Sequence, residues 1–575
     1  MPPHKNLVEI LSDSFAPAVI LPATGSGQGP AHKLFYSQLR AAVKQLQQQA
    51  PFAQLVPGTA VTFLIPNSLE FIAVFFTIVA QRAVANPLNP AYTVDEIVFY
   101  LKDVEPRVVV ILRDAPNAAT VREAARQVGV PVYEVSLELV AKYGPAGPDG
   151  AADGPAQPQL QRRLSRLPTA TISATPVDAV LATRPLDGNA DPLLSTAPPK
   201  APAGTRSQPA YNPDDVALFL HTSGTTGRPK GVPLSHRNLL ASINNIVATY
   251  HLQPSDASYL VMPLFHVHGL IGVLLSTLLS GGTVIVPPRF SVTRFWGDFV
   301  DLGATWYSAV PTIHQMLLLK ADETYPGHSG ALRFIRSCSA SLAPATMLEL
   351  ERRFRAPVIE AYAMTEAAHQ MTSNFLPRGM RKPGSVGRGR GVNVRILDEN
   401  GKQLPLKGIG EVCVNGPNVF SGYQNNPKAN AESFHFDGKQ PWFRTGDLGF
   451  IDEHKFVVLV GRIKEQINRG GEKISPIEID QALLTHPAVA EAVAFPVSSA
   501  VYGQEIEAAV VLDSSGGASV TEADLKAHIS AKLAAFKIPR TIYIVDLLPK
   551  TATGKVQRRI VAEHFAKAIP QKAKI

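Results

Sequence analysis

FLHTSGTTGRPKGVPLSHRNL, residues Phe219 to Leu239, packs three glycines, four hydroxyl residues and one lysine into Thr222–Gly231. The run before it, DVALFLHT (215–222), is short and apolar and predicts a strand. The run after it, SHRNLLASINNIVATY (235–250), opens on a helix N-cap residue, Ser235, and then takes helical spacing. The expected order is strand, glycine-rich loop, helix. Glycines let backbone N–H groups approach a ligand closely. Hydroxyls and a lysine add donors and charge, so the loop suits phosphate oxygens. A plain surface turn would need neither Lys230 nor four hydroxyls. The loop is also not of the common nucleotide-binding type, G-x-x-x-x-G-K-[ST]. Here Gly224 is followed by Gly227 after two residues, and then by Lys230 and Gly231.

A chain of 575 residues, 45% hydrophobic, is too long for one core and implies several domain-sized units. Its two cysteines, Cys338 and Cys413, lie far apart and lack metal-ligand spacing. The net charge of +8 comes from dispersed basic residues, which suits small anionic partners as well as nucleic acid. Nucleic acid is not the expected partner. The N-terminus carries Glu9 and Asp13 where a secretory signal would be apolar. FIAVFFTIVA (71–80) and GLIGVLLSTLLSGG (269–282) fall short of the ~20 residues a membrane span needs, and predict buried helices.

Strand and helix patterns alternate from Asn6 to about Tyr143, as in AVTFLIPNSLEFIAVFFTIVA, PRVVVILR and VREAARQVGVPVYEV. That alternation predicts an α/β fold with parallel sheets and crossover helices. Residues 144–213, rich in Ala, Pro, Gly and Thr, read as a disordered insert. The α/β pattern resumes at Asp214. From about 386 to 461 shorter strands and glycine turns predict a β-rich subdomain, and 462–575 a compact α+β unit. The expected division is therefore 1–461 and 462–575.

Four further segments mix glycine, hydroxyl and charge. They are YAMTEAAHQM (362–371), WFRTGDLGF (442–450), ISPIEID (474–480) and LPKTATGKVQRR (548–559). With the opening loop, they closely resemble the adenylate-forming family of acyl-CoA synthetases, peptide-synthetase adenylation domains and firefly-type luciferases. The resemblance covers nearly the whole chain except the insert. It implies attack of a carboxylate on the α-phosphate of ATP to give an acyl-adenylate, which a thiol then opens with release of AMP. Thr222, Ser223, Gly224, Thr225, Thr226, Gly227 and Lys230 would cradle phosphates. Tyr362 would lie against adenine, or pack as a core aromatic. Thr365 would bond a phosphate oxygen and Glu366 would hold Mg²⁺. Asp447 and Arg462 would take the ribose. Lys555 would bridge the carboxylate and the α-phosphate, and Lys464 would be the hinge of a rotating C-terminal domain. That rotation would bring Gly470 and Gly471 to the site, with Lys473 and Lys537 at the phosphates of coenzyme A.

In PLFHVHG (263–269), His266 stands where amino-acid adenylation domains carry an Asp. The chain ends at Ile575, 20 residues beyond Lys555, with no carrier domain. Both features favour free coenzyme A as acceptor. Segments that line the acyl pocket in the family carry Trp306, Tyr307, Ser308, His314, Ser339 and His369, with His268 close by in sequence to His266. Bulky aromatics would close that pocket, and Ser339 with His369 would meet a second carboxylate. These stretches, with INRGGEKISPIEID and AAFKIPR, most resemble the oxalate–CoA ligases of plants and fungi. Ligases of 4-coumarate or medium-chain fatty acids, a luciferase-type oxygenase and an amino-acid adenylating enzyme are the alternatives. The final Ala573-Lys574-Ile575 has the form of a peroxisomal signal read by an import receptor, with a cytoplasmic enzyme as the other expectation.

Overall fold

The computed structural model describes residues 6–22, 31–141, 177–185, 212–222, 229–513, 520–550 and 556–568. Ser223–Gly227 of the phosphate loop, Lys555 and 573–575 lie outside the described residues, as does most of 144–213.

FIAVFFTIVA becomes the helix Leu69–Ala80, capped by the Ser68 hydroxyl, which accepts from the Phe71 N–H. Ten of its twelve residues are buried, so it is apolar all round and belongs inside the protein. It packs beside a seven-stranded sheet ordered Val177–Pro185, Val132–Ala141, Val108–Leu112, Ala60–Leu64, Val84–Pro87, Val216–His221, Gly231–Ser235. The inner strands run parallel. Runs such as VVVIL suit that position because a parallel sheet is covered on both faces. A second, nine-stranded sheet centres on parallel strands Ala257–Tyr259, Trp306–Ala309, Phe334–Ser337 and Val358–Met364. One continuous core joins the two sheets, from Phe63 and Phe75 to Leu270, Trp306 and Ile359. Among the described residues no helix is long and apolar enough to cross a membrane.

Five antiparallel strands between Asn393 and Arg462 form a third sheet. After a single 3-10 turn, Ile463–Glu465, the chain enters a fourth sheet of five strands. Its helices Pro476–Leu484 and Glu522–Ser530 enclose a core of their own around Ile479, Leu483, Ile506 and Leu525.

Two elements differ from the sequence reading. The phosphate loop does not lead straight into a helix. GVPLS instead forms the strand Gly231–Ser235, antiparallel to Val216–His221. Gly231 is required there: a Cβ would lie 2.4 Å from the Phe219 ring. The cap at Ser235 holds, with its hydroxyl accepting from Asn238 N at 3.2 Å. Secondly, residues 177–185, inside the stretch read as a disordered insert, pair antiparallel with Val132–Ala141 at the sheet edge. A nine-residue run with Val177, Val180 and Leu181 has enough strand-forming residues to extend a sheet edge.

Candidate active site

A cavity of about 650 Å³ opens between the large unit and the C-terminal unit, lined by Ser339, Glu360, Tyr362, Asp447, Arg462 and Val556 among others. Strand alternation explains the first wall: Glu360 and Tyr362, two apart on Val358–Met364, point to the same face. Asp447 and Arg462 stand opposite each other on adjacent strands, and Arg462 Nε meets Asp447 Oδ1 at 2.8 Å. The Tyr362 hydroxyl donates to the other carboxylate oxygen of Asp447. Burial pushes the Tyr362 hydroxyl well up, and the neighbouring Asp447 adds to this. Burial also raises Asp447, with Arg462 pulling the other way. The three groups expected at the nucleoside are therefore one hydrogen-bonded unit.

Thr365 opens a single 3-10 turn at the end of the same strand and is half-buried. The next residue, Glu366, is 6% exposed and accepts from the Tyr423 hydroxyl at 2.8 Å. Lys230 brings its ammonium over the Tyr423 ring, 4.4 Å from the centroid. Burial raises the Glu366 carboxyl. It is one buried carboxylate with spare lone pairs beside a phosphate-loop lysine. That fits Mg²⁺, which takes one or two carboxylates and completes its shell with phosphate oxygens and water.

Ser339 follows the strand Phe334–Ser337 with φ +75°, a conformation that non-glycine residues hold only when their surroundings impose it. Its hydroxyl lies 3.0 Å from His268 Nδ1, and His268 Nε2 lies 2.7 Å from the Ser308 hydroxyl. His369, also left-handed at φ +95°, stacks on His268 with ring centroids 5.3 Å apart. His369 is fully buried behind the cavity wall, against Gly272, where a Cβ would sit 2.4 Å from its Nε2. Gly272 lies in the π-helical turn Leu270–Leu275, a widened turn that often marks functional sites. His266 is half-buried just before the helix Val267–Gly269 that leads into this turn.

Other expected groups go elsewhere. Trp306 and Tyr307 do not close the acyl space. Trp306 stacks on Phe334 in the core between the sheets, and Tyr307 packs with Phe295 on the opposite face. His314 is fully buried beside Tyr307, and burial pushes its imidazole down to about 3. Gly470 and Gly471 form the two-residue turn between strands Ile467–Arg469 and Glu472–Ile474, with Lys473 exposed on the second. Lys537 pairs with Glu478 at 2.7 Å, so it would have to leave that partner to reach a phosphate. Lys464 is exposed in the joining turn and reaches the cavity rim.

Models of two families match the chain: "AMP-binding enzyme" over residues 16–424 and "AMP-binding enzyme C-terminal domain" over 478–555. The chain belongs to the AMP-binding enzyme family. This AMP-binding enzyme is 46% identical over 516 residues to an oxalate–CoA ligase of Arabidopsis thaliana, covering 89% of this chain and 90% of that one. It is 45% identical over 514 residues to an oxalate–CoA ligase of Saccharomyces cerevisiae, covering 88% and 87%. Among solved structures, ATP-bound MatB from Rhodopseudomonas palustris superposes with a TM-score of 0.77 at 29% identity over 98% of this chain and 99% of that one.

Sequence reasoning missed three groups of this AMP-binding enzyme: Tyr423, which holds Glu366; Arg336, behind Ser308; and Glu360. Glu360 is 3% exposed, accepts from Leu342 N at 3.1 Å, and burial pushes its carboxyl up to about 8. A folded-state pKa above the unfolded value of about 4.5 makes a carboxyl a growing burden as pH rises between the two. Glu360→Gln keeps the neutral shape and cannot ionise. The variant should therefore gain on the wild type by up to about 1.4 kcal/mol per pH unit from pH 5 to 8. Melting temperatures of both proteins across that range check this, and a pH-independent gap would refute it.

Proposed function

We propose that this protein is an AMP-forming acid–CoA ligase that acts on oxalate. Oxalate and ATP give oxalyl-adenylate and diphosphate, and coenzyme A then gives oxalyl-CoA and AMP. The observation that carries the substrate is the acyl end of the cavity. It ends at a hydroxyl, Ser339, held by an imidazole that is held by a second hydroxyl. A fatty-acid site would need an apolar tunnel there. A second carboxylate left without polar partners in such a site would be costly. The oxalate–CoA ligases among the relatives support the same reading.

In this reading the Asp447 carboxylate accepts the ribose hydroxyls and Arg462 holds it in place. Tyr362 then gives up its bond to Asp447 and offers its ring to adenine. Lys230 and the Thr222–Gly231 loop meet the phosphates. Glu366 would hold Mg²⁺, whose charge offsets the negative charge that builds on the phosphates as diphosphate leaves. Lys555 serves the α-phosphate during adenylation. Withdrawal of the C-terminal unit about Lys464 then admits the thiol, with Gly470 and Gly471 carried toward the site.

A panel of acids scored by diphosphate release, with and without coenzyme A, tests this. Oxalate should exceed longer aliphatic or aromatic acids by about tenfold or more, since each misplaced methylene already costs roughly 10–200-fold. Preference for a cinnamate or a fatty acid would overturn the substrate and leave the ligase. Light emission, or an amino acid as the preferred acid, would overturn the ligase.

A further inference from the structure

Arg336 is fully buried in the middle of the nine-stranded sheet. Its guanidinium donates to three neutral oxygen acceptors among the described residues, with the Cys338 thiol also beside it. Nε donates to the Tyr250 hydroxyl at 2.8 Å, Nη1 to the Ser308 hydroxyl at 3.1 Å, and Nη2 to Gln370 Oε1 at 3.3 Å. Among the described residues no carboxylate forms an ion pair with it; burial disfavours its charge, and the Tyr250 hydroxyl and the Cys338 thiol pull the other way. A guanidinium stays charged in proteins, and an isolated buried charge is expensive. From Arg336, one path of hydrogen bonds reaches the cavity: Ser308, His268, Ser339.

We infer that Arg336 is a positioning residue whose fixed charge directs this path, so that the Ser339 hydroxyl donates into the cavity to the unreacted carboxylate of the substrate. The direction follows from donor arithmetic. Arg336 can only donate, so Ser308 accepts from it. The Ser308 proton then goes to His268 Nε2, the ring proton sits on Nδ1 and goes to Ser339, and the Ser339 proton points onward. In the reverse arrangement His268 Nε2–H would also donate to Ser308. The buried Ser308 O–H would then have no acceptor among the described residues, and Ser339 would turn its lone pairs toward an anion. The field of a buried cation likewise orients each dipole with its proton end outward. The left-handed backbone at Ser339 is the strain expected where a donor is held in a fixed direction.

This inference rests on the oxalate reading, and oxamate separates the two, because it replaces one carboxylate of oxalate with a neutral amide of the same shape. Arg336→Met should raise the KM for oxalate by about tenfold or more, within the roughly 10- to 150-fold scale of a hydrogen bond to a charged group. The KM for ATP should not move, and oxamate, followed as substrate or as inhibitor, should weaken much less. Arg336→Lys restores the charge without the fork and should recover part of the oxalate preference. Ser308→Ala cuts the path with Arg336 intact and should give the same selective loss, which decides the matter if Arg336→Met does not fold. Equal weakening of both acids, or an unmoved oxalate-to-oxamate ratio in a wild type that uses oxalate, would overturn the role of Arg336. A wild type indifferent to oxalate would overturn the substrate reading itself.

Discussion

Lys555→Ala is expected to slow acyl-adenylate formation by about 10²–10³-fold, the usual cost of removing one electrostatic donor from a transition state. Opening of a supplied acyl-adenylate by coenzyme A should stay within a few-fold of the wild type. The asymmetry comes from when the charge is needed. Negative charge accumulates at the α-phosphate only while the carboxylate attacks and diphosphate departs. Val556, one residue on, lines the cavity with Tyr362 and Asp447. The chain beyond is anchored: Arg558 bonds Asp480 at 2.6 Å, Glu465 at 3.2 Å and the Ala494 carbonyl at 2.9 Å. Rapid-quench assays of the two half-reactions make the check. Equal loss in both would make Lys555 a structural residue, and no loss in either would remove it from the reaction.

The second large effect carries opposite signs in activity and stability. Glu366→Gln should lower adenylation by about 10²–10³-fold if Glu366 holds Mg²⁺ as proposed, because a neutral amide would not keep a cation against the phosphate charge. The same change should make the empty protein more stable. The Glu366 carboxyl is buried and its pKa is raised, so its ionised form is disfavoured in the fold at neutral pH. The Gln side chain can still accept from Tyr423, and it removes that penalty. Calorimetry without ligands should show a higher melting temperature for the variant than for the wild type at neutral pH. A variant that loses activity and stability together would show Glu366 to be a packing residue. Full activity would remove it from the metal site.

The Ser235 cap, the buried helix Leu69–Ala80 and the alternation that builds parallel sheets were legible along the chain because each depends on near neighbours. Asp447 and Arg462 were named from their segments, but that they form an ion pair follows from strand register, which a sequence does not display. Arg336 was missed for the same reason. The residue sits beside Ser308 in the middle of a sheet covered on both faces, a placement that only strand pairing reveals. A charged residue inside a parallel-sheet strand was the available signal. Glu360 in VIEAYAM carried the same signal. Trp306 and Tyr307 misled in the other direction: large aromatics next to site residues in sequence point to opposite faces of the sheet and fill two different cores.

The neutral acid at Glu360 has a practical consequence. A protein that must keep a carboxyl protonated up to about pH 8 is at its most fragile when idle and alkaline. Shelf life and purification yield should then depend on what the buffer contains as much as on temperature. A nucleotide kept at 100 times its dissociation constant adds about 2.7 kcal/mol of protection by mass action. Mildly acidic storage with ATP present is the condition under which this enzyme should keep longest, and alkaline dialysis to the empty form the step at which it is lost.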